Sequence, residues 1–177
     1  QSVESQVVTN FEGLKLVTRT KVDATNWSET YYVYDTRNQL RFMLPPELMR
    51  LLKVAGNYNP SQAQINTWAY QYVYDDLGRV VETRGPGNDP LDTKSYTIYD
   101  SRDRVVLSQD AKQRLTNEWS YTKYDDLNRP VVSGIYQPGA LVSRTAMQAT
   151  VDALSGNLGF QNVTDVVSTN PDAPADI

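Results

Sequence analysis

The 177-residue chain contains no cysteine and no histidine. The first absence excludes disulfides, thiol nucleophiles and thiolate metal sites. The second excludes histidine general bases, Ser-His-Asp triads and HExxH zinc sites built from this chain alone. Basic residues number 17 against 21 acidic ones, which argues against a nucleic-acid-binding face. No apolar run approaches the roughly 18 residues of a membrane span. We therefore predict no bound cofactor, no resident metal, no nucleic-acid partner and no membrane span.

Tyrosine is the abundant aromatic residue, with 12 tyrosines beside three tryptophans and three phenylalanines. Four tyrosines precede an aspartate, and their spacings along the chain are 40, 25 and 25 residues. The four pairs are Tyr34-Asp35, Tyr74-Asp75, Tyr99-Asp100 and Tyr124-Asp125. Two equal spacings indicate an internal repeat. The longer first spacing predicts an insertion.

Each Tyr-Asp pair lies between two runs rich in aromatic and β-branched residues, which favour strands. We predict four β-hairpins, near residues 28–44, 68–84, 94–109 and 118–136. The Asp is expected to begin a type I turn, where its carboxylate accepts a backbone N–H two residues on. Three residues after it the chain is expected to take a positive φ and form a G1 bulge. The residues at that position all tolerate positive φ, and they are Asn38, Gly78, Asp103 and Asn128.

The next residue opens each return strand, and it is Gln39, Arg79, Arg104 or Arg129. An arginine there can lay its stem across a tyrosine ring and keep its head group in water. The sequence therefore predicts a mainly β fold, in which consecutive antiparallel hairpins form a curved open sheet or a partial shell.

Outside the hairpins, two segments are predicted to form short helices. Residues 45–53 begin with two prolines and carry leucines at positions 48, 51 and 52, so they account for the insertion. Residues 143–154 form the second predicted helix, with Gly156 as its stop. Residues 11–22 are expected to be a return strand whose own hairpin is partly cut away. We thus divide the chain into a hairpin region, 1–142, and a helix with a loose tail, 143–177, and place a connecting loop at 85–90.

The hairpin sequences resemble a known family. Around Tyr74 the chain reads YQYVYDDLGRV, and around Tyr124 it reads WSYTKYDDLNRP. Both resemble the YD repeat, also called the RHS repeat. The second stretch, with Gly134-Ile135-Tyr136, looks like the large surface YD-repeat proteins of Bacteroidetes. The resemblance covers roughly residues 28–136.

The resemblance implies a role as well as a fold. Related RHS, insecticidal-toxin C and teneurin proteins coil such hairpins into a hollow β-shell, which in bacterial members encloses a toxic C-terminal polypeptide. Some of them release it through an aspartyl self-cleavage motif, whose Asp-Pro-x-Gly-Leu element is absent here. The resemblance therefore implies an extracellular or cell-surface shell segment, not an enzyme, with neighbouring YD repeats and an enclosed polypeptide as partners. Exposed strand edges would also permit a dimer.

Two other functions compete with this one. Aromatic rings can stack on sugars, which makes the chain a candidate carbohydrate-binding module, and the candidate rings are Trp68, Tyr70, Tyr72, Trp119 and Tyr121. The competing interpretation of these rings is an aromatic core between hairpins. The acidic pairs Asp75-Asp76 and Asp125-Asp126 are candidate glycosidase carboxylates. Their competing interpretation is turn capping.

Two further features have a structural and a functional interpretation. The oxygens of Asn88, Asp89 and Asp92 suit calcium but lack the EF-hand spacing, so a solvated loop is the alternative. The leucine stripe of residues 48–52 is either a docking face for a partner or a cover for the sheet.

Overall fold

The structure, a computed structural model, describes residues 4–87 and 94–153. The chain divides into two compact units at the boundary between residues 93 and 94. Each unit is an open antiparallel sheet in which strands adjacent in sequence are neighbours in space. This confirms the predicted mainly β fold of consecutive hairpins. The described residues hold four short helices, whereas two were predicted.

The first unit contains six strands and two helices. They are β1 (Ser5–Thr9), β2 (Lys15–Lys21), β3 (Trp27–Tyr34), β4 (Leu40–Leu44), α1 (Pro46–Ala55), α2 (Gln62–Trp68), β5 (Tyr70–Tyr74) and β6 (Val80–Arg84). Both helices fall in the long interval between the first two Tyr-Asp pairs. Strands β4 and β5 nevertheless pair with each other. The insertion therefore leaves the strand order unchanged.

Helix α1 confirms the predicted helix at residues 45–53. It starts after Pro45 and ends at Gly56, whose φ of 65° is the left-handed cap expected of glycine. Helix α2 was not predicted, and it corrects the placement of Trp68. That residue ends α2 instead of lying in a strand, because Ser61 and Gln64 form a capping box that starts a helix there.

The core of the first unit lies between α1 and the sheet. Leu48, Met49 and Leu52 are buried with Ala69. Helix α1 packs on β3, and Tyr31 is among the rings that pack against this cluster. The leucine stripe thus covers the sheet of its own unit and is not a free docking face.

The second unit contains four strands and two helices. They are β7 (Lys94–Tyr99), β8 (Val105–Gln109), α3 (Ala111–Thr116), β9 (Trp119–Tyr124), β10 (Pro130–Tyr136) and α4 (Arg144–Ala153). Helix α3 was not predicted. Asp110 and Gln113 form a capping box at its start, and Asn117 ends it at a φ of 55°.

Helix α4 confirms the predicted helix at 143–154 and closes the core of the second unit. Its Met147 and Val151 are buried in one cluster with Trp119 and Tyr121. The side chain of Gln148 bonds the backbone of β7, because its Nε2 donates to the carbonyl of Tyr99 at 2.7 Å. Gly156, the predicted tail, residues 88–90 of the predicted loop and Asp92 lie outside the described residues.

The expectation for residues 11–22 was wrong in part, because the chain forms a complete hairpin before Tyr34. Strands β1 and β2 pair across a turn at residues 10–14, and Phe11 at its tip is 96% exposed. The side-chain oxygen of Asn10 accepts the backbone N–H groups of Glu12 and Leu14, and Gly13 has a φ of 84°. This turn is a fifth copy of the repeat, in which Thr9 and Asn10 replace Tyr and Asp.

A glycine allows close packing inside the last hairpin. Gly134 in β10 lies directly across from Tyr121 in β9. A Cβ atom at Gly134 would lie 2.8 Å from Cε1 of the Tyr121 ring. That ring is buried, so it covers the glycine and has little room to move.

Replacing Gly134 with alanine is expected to lower the free energy of unfolding by about 1–3 kcal/mol, because the new methyl group displaces the buried ring. Urea denaturation followed by tryptophan fluorescence measures the change. Gly139→Ala is the matched control, since nothing lies within 4 Å of a Cβ there, and its stability should stay the same or rise slightly. Equal stability of the two variants would contradict the close packing.

Candidate functional site

The Tyr-Asp turns share one backbone geometry, shown here for Asp75. Its N–H donates to the carbonyl of Arg79 at 3.0 Å, and the N–H of Gly78 donates to the carbonyl of Asp75 at 3.0 Å. The other three turns repeat these bonds. The third residue after each Asp has a positive φ, namely Asn38 (60°), Gly78 (84°), Asp103 (61°) and Asn128 (61°). The register shifts beside each turn, so the predicted turn with its bulge is confirmed.

The aspartate carboxylate makes more bonds than the sequence predicted. In Asp75, one oxygen accepts the N–H groups of Leu77 and Arg79 at 3.0 and 2.9 Å. The other oxygen accepts the Nε–H of Arg79 at 2.7 Å. The pairs Asp100–Arg104 and Asp125–Arg129 repeat this 2.7 Å bond.

The expectation that the arginine head groups remain in water was therefore incomplete, since each pairs with the Asp of its own turn. In the turn of Asp35, the position four residues after the aspartate holds Gln39 instead of an arginine. Arg41 approaches Asp35 instead, at 3.9 Å.

These bonds favour the ionised carboxylates. The backbone N–H of Gln39 is the main cause that lowers the pKa of Asp35, and the N–H of Arg129 does the same for Asp125. Burial raises the pKa of Asp75, but the backbone N–H and guanidinium of Arg79 outweigh it, so the net shift is downward. A general acid needs a raised pKa to hold its proton near neutrality. The three carboxylates are thus suited to capping turns and not to donating protons.

The same shifts predict acid sensitivity. A carboxylate whose pKa is lower in the folded state stabilises the fold above its unfolded pKa, near 3.9, and loses that contribution as the pH falls. The melting temperature should therefore be nearly level from pH 7 to about pH 5 and fall below about pH 4. Thermal melts followed by circular dichroism measure it. The side chain of the Asp35→Asn variant keeps an acceptor oxygen but does not titrate, so the melting temperature of this variant should depend less on pH. If the original chain melted at pH 3 at the same temperature as at pH 7, the stabilising role of the ionised turn aspartates would be contradicted.

Three of the four turn tyrosines connect their hairpin to the preceding one. The Tyr34 hydroxyl donates to the carbonyl of Lys15 at 3.0 Å, and the Tyr74 hydroxyl donates to that of Leu40 at 3.0 Å. In the second unit the Tyr124 hydroxyl donates to the carbonyl of Val105 at 2.8 Å. Each acceptor is the first residue of the preceding return strand. The sequence analysis missed this contact, although tyrosine and never phenylalanine at all four positions was a signal that the hydroxyl is used.

At two turns, the residue after the bulge also reaches the next turn of its unit. The Arg104 guanidinium lies 4.9 Å from the centroid of the Tyr124 ring, and its Nη1 donates to Oδ1 of Asn128 at 3.1 Å. In the first unit, Nε2 of Gln39 lies 3.1 Å from where a Cβ of Gly78 would be.

Replacing Gly78 with valine is expected to lower the free energy of unfolding by about 1–2 kcal/mol, because a β-branched residue is strained at a φ of 84°. Urea denaturation measures the loss. Gly78→Asn is the control, because Asn38 and Asn128 occupy the same turn position at positive φ. A valine variant as stable as the asparagine variant would contradict the turn assignment.

The candidate sugar-stacking rings are mostly enclosed. Trp119 is 0% and Tyr121 is 3% exposed. The Trp119 ring stacks on Tyr96 with centroids 6.4 Å apart. Trp68 packs against the α1 core, and Tyr70, at 38%, is the more exposed ring of β5. Trp119 and Tyr121 are therefore buried core residues, which favours the aromatic-core interpretation over sugar stacking for these two rings.

The structure places both acidic pairs in hairpin turns. Asp76 and Asp126 are exposed at the hairpin tips, beside turn aspartates whose oxygens are already engaged. Within residues 4–87 and 94–153, no group of three or more acidic side chains is arranged as metal ligands. In those same ranges, no helix is long and apolar enough to cross a membrane.

The fold of this chain matches a small part of each of two solved structures. The crystal structure of TcdB2-TccC3-Cdc42 matches with a TM-score of 0.52 and 17% identity over 77% of this chain and 6% of the other. The Photorhabdus luminescens Tc holotoxin pore matches with a TM-score of 0.53 and 14% identity over 86% of this chain and 7% of the other. These identities show a shared fold alone, and the chain spans less than a tenth of each of these two chains. No protein-family model and no curated protein matches it.

Proposed function

We propose that this chain is a non-catalytic structural segment of a larger YD-repeat protein and forms part of the wall of a β-shell. The observation that carries the proposal is the tyrosine hydroxyl contact, which joins successive hairpins through the residue that the repeat preserves. At these three junctions, a hydroxyl bound to a backbone carbonyl fixes the spacing of the two hairpins. The hydroxyl groups of these tyrosines are therefore used to hold neighbouring hairpins together and are not available to bind a ligand.

The state of the carboxylates supports a role without catalysis. Glycoside hydrolysis by two carboxyl groups requires one with a raised pKa as the acid. The turn aspartates Asp35, Asp75 and Asp125 have lowered pKa values instead. Their oxygens are bound by backbone N–H groups of their own turns, which explains these residues structurally.

The YD-repeat resemblance and the shared fold of the TcdB2-TccC3 structures support the larger context. In the matched structures, a segment of this size is only 6–7% of the chain that contains it. We propose that the parent protein is secreted or on the cell surface, with neighbouring repeats and an enclosed polypeptide as this segment's partners.

Limited proteolysis of the natural protein that contains this sequence tests the proposal. An antibody against residues 94–136 would follow the fragments. We expect a resistant fragment several times longer than this chain, because strands in a continuous stack are protected from cleavage. A resistant fragment no longer than this chain would contradict the proposal.

Titration with a glycan panel is the second test. We expect no saturable change in tryptophan fluorescence. Trp119 is enclosed in the core, Trp68 packs against the α1 core, and Arg19 and Lys21 lie over the Trp27 ring. Saturable binding that is lost in the Tyr70→Ala variant would favour a carbohydrate-binding module instead.

A further inference from the structure

We infer that the backbone of Tyr34, on the side of β3 that faces β2, is a binding site for a glutamine side chain carried on a helix of another polypeptide. The inference rests on the proposed function, because it takes this polypeptide to be the one that the β-shell encloses, and it adds where and how that polypeptide is held. The second unit shows the complete arrangement at Tyr99, where the glutamine belongs to α4 of this chain.

At Tyr99 a side-chain amide takes the place of a neighbouring strand. The Asp100 N–H donates to the carbonyl of Arg104 within its own hairpin, and successive strand residues point their backbone groups to opposite sides. The N–H and C=O of Tyr99 therefore point away from β8. The Tyr99 N–H donates to Oε1 of Gln148 at 3.2 Å, and Nε2 of Gln148 donates to the Tyr99 carbonyl at 2.7 Å. The same Nε2 donates to Oδ1 of Asp152 at 2.8 Å, which orients the amide.

The backbone of Tyr34 has the same orientation and no registered strand partner on that side. The Asp35 N–H donates to the carbonyl of Gln39 at 3.0 Å, so the N–H and C=O of Tyr34 point out of their hairpin, toward β2. The register between β2 and β3 ends at the pair Val17–Tyr31, three residues before Tyr34. In the described part of the first unit, these two backbone groups thus face a gap beyond the paired part of the two strands.

The neighbouring side chain shows that the gap is open to a helix. Ile98, directly before Tyr99, is buried in the cluster that α4 closes. Val33, directly before Tyr34, is 41% exposed, although α1 packs on the same strand. At the corresponding position of β5 and β9, Val73 is half-buried and Lys123 is buried. The apolar surface that α4 covers in the second unit is therefore left open beside Tyr34.

Helix α4 defines the chemistry of the occupant. It carries an apolar residue directly before its glutamine, a second one three residues after it and an aspartate four residues after it, namely Met147, Val151 and Asp152. These positions share one face of a helix, so the apolar pair covers the strand while the amide reaches the backbone. A second copy of this chain already uses this face of α4 on its own Tyr99. The occupant is therefore a helix of a different polypeptide with the same spacing.

The test uses the full chain with a second copy of residues 143–153 appended after Ile177 through a Gly/Ser linker of about 20 residues, which raises the effective concentration of the helix. Hydrogen exchange of the Tyr34 amide is the measurement, since this N–H would donate to the added glutamine. We expect exchange at least about threefold slower than in the unmodified chain. The Tyr99 amide reports that the second unit stays folded.

The matched control carries Gln148→Met in the appended copy alone, which keeps the length of the side chain and removes the amide. We expect the Tyr34 amide of this control to exchange as in the unmodified chain. Equal slowing by both appended helices, or by neither, would overturn the inference. A Tyr34 amide that exchanges as slowly as the Tyr99 amide in the unmodified chain would also overturn it, because the backbone groups would already be engaged.

These results are separable from the proposed wall role, which proteolysis of the natural protein measures. A long resistant fragment without slowing at Tyr34 would overturn the glutamine site and leave the wall role intact. Slowing at Tyr34 that depends on the amide, with a resistant fragment no longer than this chain, would support the site and contradict the wall role.

Discussion

Replacing Asp100 with alanine is expected to lower the free energy of unfolding by about 3–5 kcal/mol, the range seen when one partner of a buried ion pair is removed. Asp100 is 5% exposed, and its partner Arg104 bonds it at 2.6 Å through Nη2. One Asp100 oxygen also accepts the N–H groups of Arg102 and Arg104. The substitution thus removes a turn cap and the charge that neutralises a buried guanidinium. Urea denaturation followed by circular dichroism measures the loss.

Three further variants isolate the cause. Asp76→Ala removes an exposed tip carboxylate and should change stability by no more than about 0.5 kcal/mol. Asp100→Asn keeps an oxygen that accepts the N–H groups, so it should lose less than the alanine variant. Asp100→Ala combined with Arg104→Ala should lose less than the sum of the two single losses. A loss below about 1 kcal/mol for Asp100→Ala would show that the pair does not stabilise the turn.

Replacing Trp119 with alanine is expected to cost about 3–5 kcal/mol, because it empties the largest fully buried side-chain site of the second core. The indole Nε1 makes no hydrogen bond in the structure, so the loss comes from packing. Thermal and urea denaturation followed by circular dichroism measure the loss.

Trp119→Phe keeps part of the volume and should lose less. Tyr70→Ala is the contrast, since its more exposed ring should cost clearly less than Trp119. A Trp119→Ala variant of unchanged stability would show that the ring is not a core residue, and would reopen its interpretation as a ligand contact.

The turns were predictable because their chemistry is local. An aspartate that caps its own turn and a residue that tolerates positive φ three positions later both lie within five residues. The β1–β2 hairpin was not predicted as a repeat copy, because its turn begins with Thr9-Asn10 and the repeat was defined by Tyr-Asp pairs. Two signals were present in the sequence: Thr9 precedes Tyr34 by the 25-residue period, and Gly13 follows Asn10 at the bulge position.

Helices α2 and α3 were missed because they are only seven and six residues long and contain no buried residue. No apolar periodicity marks such helices. Their capping boxes, Ser61 with Gln64 and Asp110 with Gln113, were the readable signal. Recognising the first would have placed Trp68 in a helix.

The tyrosine contact was not predictable from local sequence. Its acceptor is a backbone carbonyl on another hairpin, 19 residues away for Tyr34 and 34 residues away for Tyr74. Which carbonyl lies within reach depends on the register of neighbouring hairpins, which only the assembled sheet determines. The ion pair of Asp75 with Arg79, four residues apart, was by contrast within reach of sequence reasoning.

The two helices between β4 and β5 have a consequence for how such proteins change over evolution. The chain leaves the sheet after Leu44, adds α1 and α2, and returns at Tyr70, yet β4 and β5 remain neighbours. Helix α3 occupies the corresponding connection between β8 and β9. Length is thus added at the corners opposite the Tyr-Asp turns, while the turns keep their hydrogen bonds. A segment grafted at either of these two corners is therefore expected to leave the pairing of the flanking strands intact.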